Sequence, residues 1–262
     1  YAKFVSKNSV SVSDETITAR RIVVATGAKP IAPPIDGLEK VEYFTNENFF
    51  ENYDRPDHLI IIGGGPIGVE MAQAHAQLGI KTTLIERFEI LPREISDTRD
   101  LVRKKLSQDA VTVIENCDLR SIKESGAIKS ISLGDGQIIE GSHILVATGR
   151  RANFHGLNLS AAGVETTDIG IKVDASLRTT NRAVYAIGDV VGQEQFTHFS
   201  GYNASLVVRS ALFGLPAKVK THHIPRVTYC DPEVASVGDI LDGSGTETYR
   251  VTYDGLDRAI AG

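Results

Sequence analysis

Cysteine is nearly missing from this chain, positive charge is not in excess, and long apolar runs are absent. The only two cysteines, Cys117 and Cys230, lie 113 positions apart in strand-like segments. Two thiols build no disulfide framework, which points to a reducing cytoplasm. Both are expected to be buried or surface thiols rather than nucleophiles. A formal net charge of −5 gives no reason to expect nucleic acid or an anionic membrane as partner. No apolar run approaches the roughly 18 residues that span a bilayer. The first ten residues, Tyr1 to Val10, read as a strand and not as a signal peptide. Initiator methionine is missing too, and no finishing element precedes Gly262, so the chain reads as a piece of a longer protein.

What is present is a soluble globular composition, with 42% apolar and 23% charged residues over 262 positions. That length suits one large or two ordinary domains. The most informative stretch is Leu59 to Glu70. Branched residues Leu59–Ile62 read as a buried parallel strand. The strand breaks into Gly63-x-Gly65-x-x-Gly68 and then into a helical pattern from Glu70 to Leu78, closed by Gly79. In such a turn Gly63 permits the bend, Gly65 lets backbone approach a pyrophosphate, and Gly68 lets helix pack on strand. Pro66 and Ile67 complete the loop, whose helix N-terminus offers free N–H groups and a positive dipole end.

A second strand, Lys81–Ile85, ends at Glu86, 23 residues after Gly63. A carboxylate at about that distance accepts hydrogen bonds from the ribose hydroxyls of NAD and repels the 2′-phosphate of NADP. Arg87 pulls the other way, since it could pair with that phosphate. NAD is the favoured reading.

The rest of the chain frames this motif. Residues 1–20 alternate around Ser13-Asp14-Glu15 as a hairpin. Ile22 to Gly27 is a short buried strand, and Pro30, Pro33, Pro34 and Gly37 mark a crossing loop. A helix over Asp97–Gln108, a strand Val111–Ile114 and a meander from Leu119 to Ile139 follow. The block closes on Ile144 to Gly149. Two Ala-Thr-Gly triplets, Ala25-Thr26-Gly27 and Ala147-Thr148-Gly149, stand 122 residues apart, each ending a strand. The echo fits two similar nucleotide-binding domains, one inserted in the other. A third buried strand, Ala183 to Ile187, delivers Gly188-Asp189 at its C-terminal end, where open α/β sheets bind ligands. His222 and His223 are adjacent on what reads as extended chain, so they point apart and no metal site is expected.

Taken in order, these motifs, with Gly149-Arg150 and Val227 to Gly238, resemble the pyridine nucleotide-disulfide oxidoreductases. That family includes dihydrolipoyl dehydrogenase, mercuric reductase and glutathione reductase. Ile85-Glu86-Arg87, Leu91-Pro92-Arg93-Glu94 and Phe196 to Tyr202 look most like its mercuric-reductase and dihydrolipoyl-dehydrogenase members. The resemblance implies an α/β fold in which a Rossmann-like NAD domain, 56–150, is inserted in an incomplete Rossmann-like FAD domain. The FAD parts would be 1–35 and 151–221, with a linker at 36–55 and the start of an α+β dimerisation domain at 222–262.

It also implies FAD and NAD as cofactors, and hydride transfer between nicotinamide and flavin coupled to a cysteine pair. Ala25, Thr26, Gly27, Gly188, Asp189 and Thr197 would line the FAD site. Gly63, Gly65, Pro66, Ile67, Gly68, Glu86, Arg87, Gly149 and Arg150 would hold NAD, with Gly149 and Arg150 on the nicotinamide side. Glu70 would be catalytic support, pairing with a lysine near the flavin; the bland alternative is a solvated first-turn acid. The family's first glycine motif, its paired cysteines and its His–Glu acid–base element lie outside the matching residues. Partners would be a disulfide, dithiol or metal-ion substrate and a second copy of the chain. The rival readings are an NADH oxidase or ferredoxin-type reductase without the cysteine pair, and a non-enzymatic redox sensor.

Overall fold

The computed structural model describes residues 1–238, 247 and 249–252. It opens on a three-stranded antiparallel sheet of β1 (Ala2–Ser6), β2 (Ser9–Val12) and β3 (Glu15–Thr18). Sequence alternation predicts a two-stranded hairpin here. The extra turn, Ser6 to Ser9, contains no glycine or proline and is made by Ser6 and Asn8 bonding each other's side chains and backbone.

Next come β4 (Ile22–Val24) and β5 (Ala28–Pro30). The chain then builds a complete parallel unit: β6 (His58–Ile62), α1 (Pro66–Gln77), β7 (Lys81–Ile85), α2 (Ser96–Gln108) and β8 (Val111–Ile114). An antiparallel meander of β9 (Leu119–Ser125), β10 (Ile128–Leu133) and β11 (Ile138–Gly141) follows, and β12 (His143–Val146) returns to the sheet. The parallel order is β12-β6-β7-β8, so β6 is flanked on both sides and every residue in it is buried. Continuous apolar sequence is what such a doubly covered strand requires. Leu59 and Ile61 face the helices with Val69, Leu84 and Leu106, while Ile60 and Ile62 face the meander with Ile122 and Ile131. That division is the period-2 alternation of a strand read out on two cores.

After the unit, β13 (Arg150–Ala152) runs antiparallel to β5. Then β14 (Val184–Ala186) pairs in parallel with β4, Ala186 opposite Val24. The whole β6–β12 unit thus lies between two neighbouring strands of another sheet, the topology of an insertion. Around β4 and β14 a third core gathers Phe4, Val164, Ile171 and Val190. The expected full burial of β4 is not met: Val24 is buried but Val23 is 44% exposed, because the sheet has only two strands. Helix α3 (Thr197–Phe213) follows, and β15 (Pro225–Thr228) and β16 (Val234–Val237) form a hairpin. The hairpin's Cys230 and Val234 enter the same core as α1. Both cysteines sit in loops beside strands and are buried. His222 and His223 lie in a short 3₁₀ turn, not on extended chain, and their ring centroids are 3.9 Å apart.

Candidate functional site

The glycine loop leaves β6 at Gly63 and enters α1 at Pro66, four residues earlier than the helical pattern suggests. Proline at the first helical position has no N–H to waste and a preset φ. Gly63 has φ +112, and a methyl there would lie 2.5 Å from the Ala147 carbonyl oxygen on the neighbouring strand end. A methyl on Gly68 would lie 1.8 Å from the Gly63 carbonyl oxygen, so helix and turn touch backbone to backbone. No side chain caps α1, which leaves the N-cap amide of Gly65 and the first-turn amides of Ile67 and Gly68 for an anion.

Glu86 is held at the lip of this loop. Its Oε2 accepts from the Gly64 amide at 2.6 Å and its Oε1 from the Phe88 amide at 2.9 Å. Each oxygen keeps a second lone pair for a hydroxyl donor. Arg87 turns away: it pairs with Asp118 at 2.9 Å and lies over the Phe88 ring. The stretch after it forms a strap. The Leu91 amide donates to the Gly64 carbonyl, Arg93 reaches Glu194 at 3.0 Å, and Glu94 accepts from the Ser236 hydroxyl. Sequence reasoning did not single out these contacts, because Leu91 adopts a positive φ that no glycine announces.

Gly149 follows Ala147-Thr148, which borders Gly63, and its carbonyl accepts from Ile31. Arg150, expected on the nicotinamide side, directs its guanidinium at Asp189 and the β5 backbone. One of its guanidinium nitrogens pairs with Asp189 at 3.0 Å and another donates to the Ala28 carbonyl at 3.1 Å. Position 150 on β13 faces the opposite side from position 151, and that alternation decides its target.

Together with Ala25, Gly27, Gly188 and Thr197, Arg150 and Asp189 line a cavity of about 340 Å³. Gln195 and Ser200 add polar groups. Thr26 points elsewhere, its hydroxyl donating to the Asn153 carbonyl. Arg150 Nε is buried without a partner among the described residues, a donor left for a ligand acceptor. An aspartate for hydroxyl groups, an arginine with a free donor, and hydroxyl side chains suit the sugar-alcohol and phosphate part of a flavin nucleotide.

Glu70 lies in α1 beyond the glycine loop, half-buried, with Oε1 accepting from the Tyr229 amide at 2.8 Å. Burial raises its pKa above the ordinary carboxylate value, and the Tyr229 hydrogen bond opposes that rise. Among the described residues its partner is the backbone of the hairpin, and it is half-buried rather than a solvated first-turn acid. Gln73, one turn on, exchanges two hydrogen bonds with the Asp231 backbone. Burial pushes the Cys230 thiol up as well, which suits a core residue and not a nucleophile. Among the described residues no three His, Cys, Asp or Glu side chains converge as a metal site, and no helix is long and apolar enough to cross a membrane.

A family model for pyridine nucleotide-disulphide oxidoreductases matches residues 1–205. Mercuric reductase of Bacillus cereus is 38% identical over 242 residues, covering 90% of this chain and 38% of the relative. Dihydrolipoyl dehydrogenase of Chlorobaculum parvum is 34% identical over 246 residues, covering 91% of this chain and 52% of the relative. Among solved structures, the HOCl-induced flavoprotein disulfide reductase RclA from Escherichia coli, in a Cu(II) complex, superposes with TM-score 0.85 at 28% identity. That match covers 91% of this chain and 56% of the other. The chain thus spans about half the length of the relatives it matches. With a glycine-loop unit inserted between two paired strands and a family match over residues 1–205, this chain belongs to the pyridine nucleotide-disulphide oxidoreductases.

Proposed function

We propose that this chain forms the nucleotide-binding part of an NAD-linked, FAD-dependent disulfide oxidoreductase, with its domains divided as the sequence motifs suggest. The observation that carries the reading is the insertion: strands β4 and β14 pair directly, with a whole glycine-loop unit between them. Such a connection lets one unit present a nicotinamide to a flavin held by the other. FAD, when bound, supplies a carrier that takes a hydride from one side and delivers an electron pair to a disulfide on the other.

The chain's own residues bind and orient. The Gly65, Ile67 and Gly68 amides would hold the NAD pyrophosphate. Glu86, fixed by two amides, would accept the ribose hydroxyls and disfavour NADP. Asp189, Arg150 and Thr197 would hold FAD, with Ala25, Gly27 and Gly188 forming its floor. Glu70 would sit at the nicotinamide end of α1, its charge moderated by burial. The terminal substrate would be a disulfide or mercuric ion as electron acceptor, or a dithiol as electron donor in the reverse direction, following the relatives' names. A cytoplasmic homodimer is the form we propose for the longer protein.

The test is NADH added anaerobically to a form of the protein that spans its relatives' length. Rapid loss of flavin absorbance followed by a long-wavelength charge-transfer band supports the disulfide reductase. Reduction without that band favours an oxidase-type flavoenzyme, and a protein that carries no flavin sinks both.

A further inference from the structure

The β5–β13 connection has a second face, away from the flavin cavity. There a separate cavity of about 280 Å³ opens, with Lys29, Arg151 and His155 over a floor that includes Pro30 and Ile31. Arg151 stands directly opposite Lys29 in the antiparallel ladder. Like charges at directly opposed positions destabilise a strand pair. No carboxylate lines the cavity. Among the described residues none of the Lys29, Arg151 and His155 side chains has an ion-pair partner. His155 is held in place by stacking on Phe154, ring centroids 4.6 Å apart. In a chain of net charge −5 this is a local reversal of sign.

We propose that this cavity is an anion site for a small phosphate-class ligand, clamped between Lys29 on one crossing strand and Arg151 and His155 on or beside the other. The arginine fork matches phosphate oxygens two at a time, and lysine adds a point charge. The volume falls below the roughly 300–1,000 Å³ of pockets that take drug-sized molecules, so one or two phosphate groups fit better than a whole dinucleotide. The occupant would neutralise the opposed pair and tie together the two strands by which the inserted unit is attached.

Inorganic pyrophosphate is the probe, followed by thermal denaturation and by calorimetric titration. The wild-type midpoint should rise with pyrophosphate. Arg151→Ala, an exposed change, should weaken Kd by about tenfold or more, equal to ~1.4 kcal/mol per decade. Lys29→Glu turns the opposed pair into one of opposite sign. It should raise the midpoint without ligand and abolish the pyrophosphate-dependent rise. ADP separates the sources of phosphate: binding as tight as pyrophosphate and lost in Arg151→Ala places recognition in the phosphates. A pyrophosphate-dependent rise that persists undiminished in both variants belongs to the glycine loop or the flavin cavity and overturns the proposal, as does no rise in the wild type.

Discussion

Gly65 and Gly68 stand three residues apart in one motif, yet their replacement by alanine should give opposite results. At Gly68 the added methyl would sit 1.8 Å from the Gly63 carbonyl, against 3.4 Å or more for ordinary contact. Both partners are backbone, so α1 must move by roughly 1.5 Å or the turn must open. Overpacking of this kind costs about 1–3 kcal/mol, and rigid surroundings put Gly68→Ala at the upper end. At roughly 2–4 °C per kcal/mol the midpoint should fall by about 6–12 °C. At Gly65 the methyl meets nothing within 4 Å, and the backbone, with φ −71, suits any residue. A stiffer unfolded chain contributes about 0.4–1 kcal/mol in favour, while alanine is a poorer helix cap than glycine, so stability should barely change. The methyl would instead stand where a pyrophosphate must approach. Losing even one amide bond to a charged ligand costs ~1.5–3 kcal/mol, a tenfold to hundredfold loss of NADH affinity. Differential scanning calorimetry and NADH fluorescence titration read the two quantities separately. Gly65→Ala that binds NADH like wild type would refute the assigned role of the loop, and an unshifted midpoint in Gly68→Ala would refute its geometry.

Glu70→Gln should raise the midpoint at neutral pH, because burial disfavours the charged form and the amide oxygen can still accept from Tyr229. The folded pKa lies above the unfolded one, so the wild type loses this stability as pH rises through the folded value; below the unfolded value both proteins should melt together, checked by melting from pH 3.5 to 8. Arg150→Ala strips Asp189 of its ion-pair partner at a largely buried position, which should cost about 1–3 kcal/mol and reduce flavin retention measured by absorbance after gel filtration. Glu86→Ala frees the Gly64 and Phe88 amides and should narrow the NADH-over-NADPH preference at least tenfold, read by competitive titration. An unchanged preference would mean that Glu86 shapes the loop without facing the ribose.

The strand–turn–helix motif was legible because its apolar run and its glycines answer to one structure only, a covered parallel strand feeding a helix. The start of α1 was not, since Pro66 and Gly68 look like loop residues until the helix is seen to begin on them. The meander at the start of the chain hid a turn made by Ser6 and Asn8 side chains, which carry no backbone signature in sequence. The partners of Arg150 were hidden for a different reason. Its side-chain direction on β13 is set by pairing with β5, a contact 122 positions away that periodicity cannot reveal. The Glu70–Tyr229 contact was hidden likewise, since it joins α1 to a hairpin 159 residues later.

The strap from Leu91 to Glu94 has a mechanical consequence. It is pinned at three places: the Gly64 carbonyl beneath the glycine loop, Ser236 on the hairpin, and Glu194 just before α3. The first two pins lie on the inserted unit and its attached hairpin, and of the three only the Arg93–Glu194 pair reaches the loop before α3. The exposed arginine of that third pin is 69% accessible, so added salt loosens it selectively. Ionic strength therefore acts on one of the strap's three attachments and leaves the other two, neither of them an ion pair, in place.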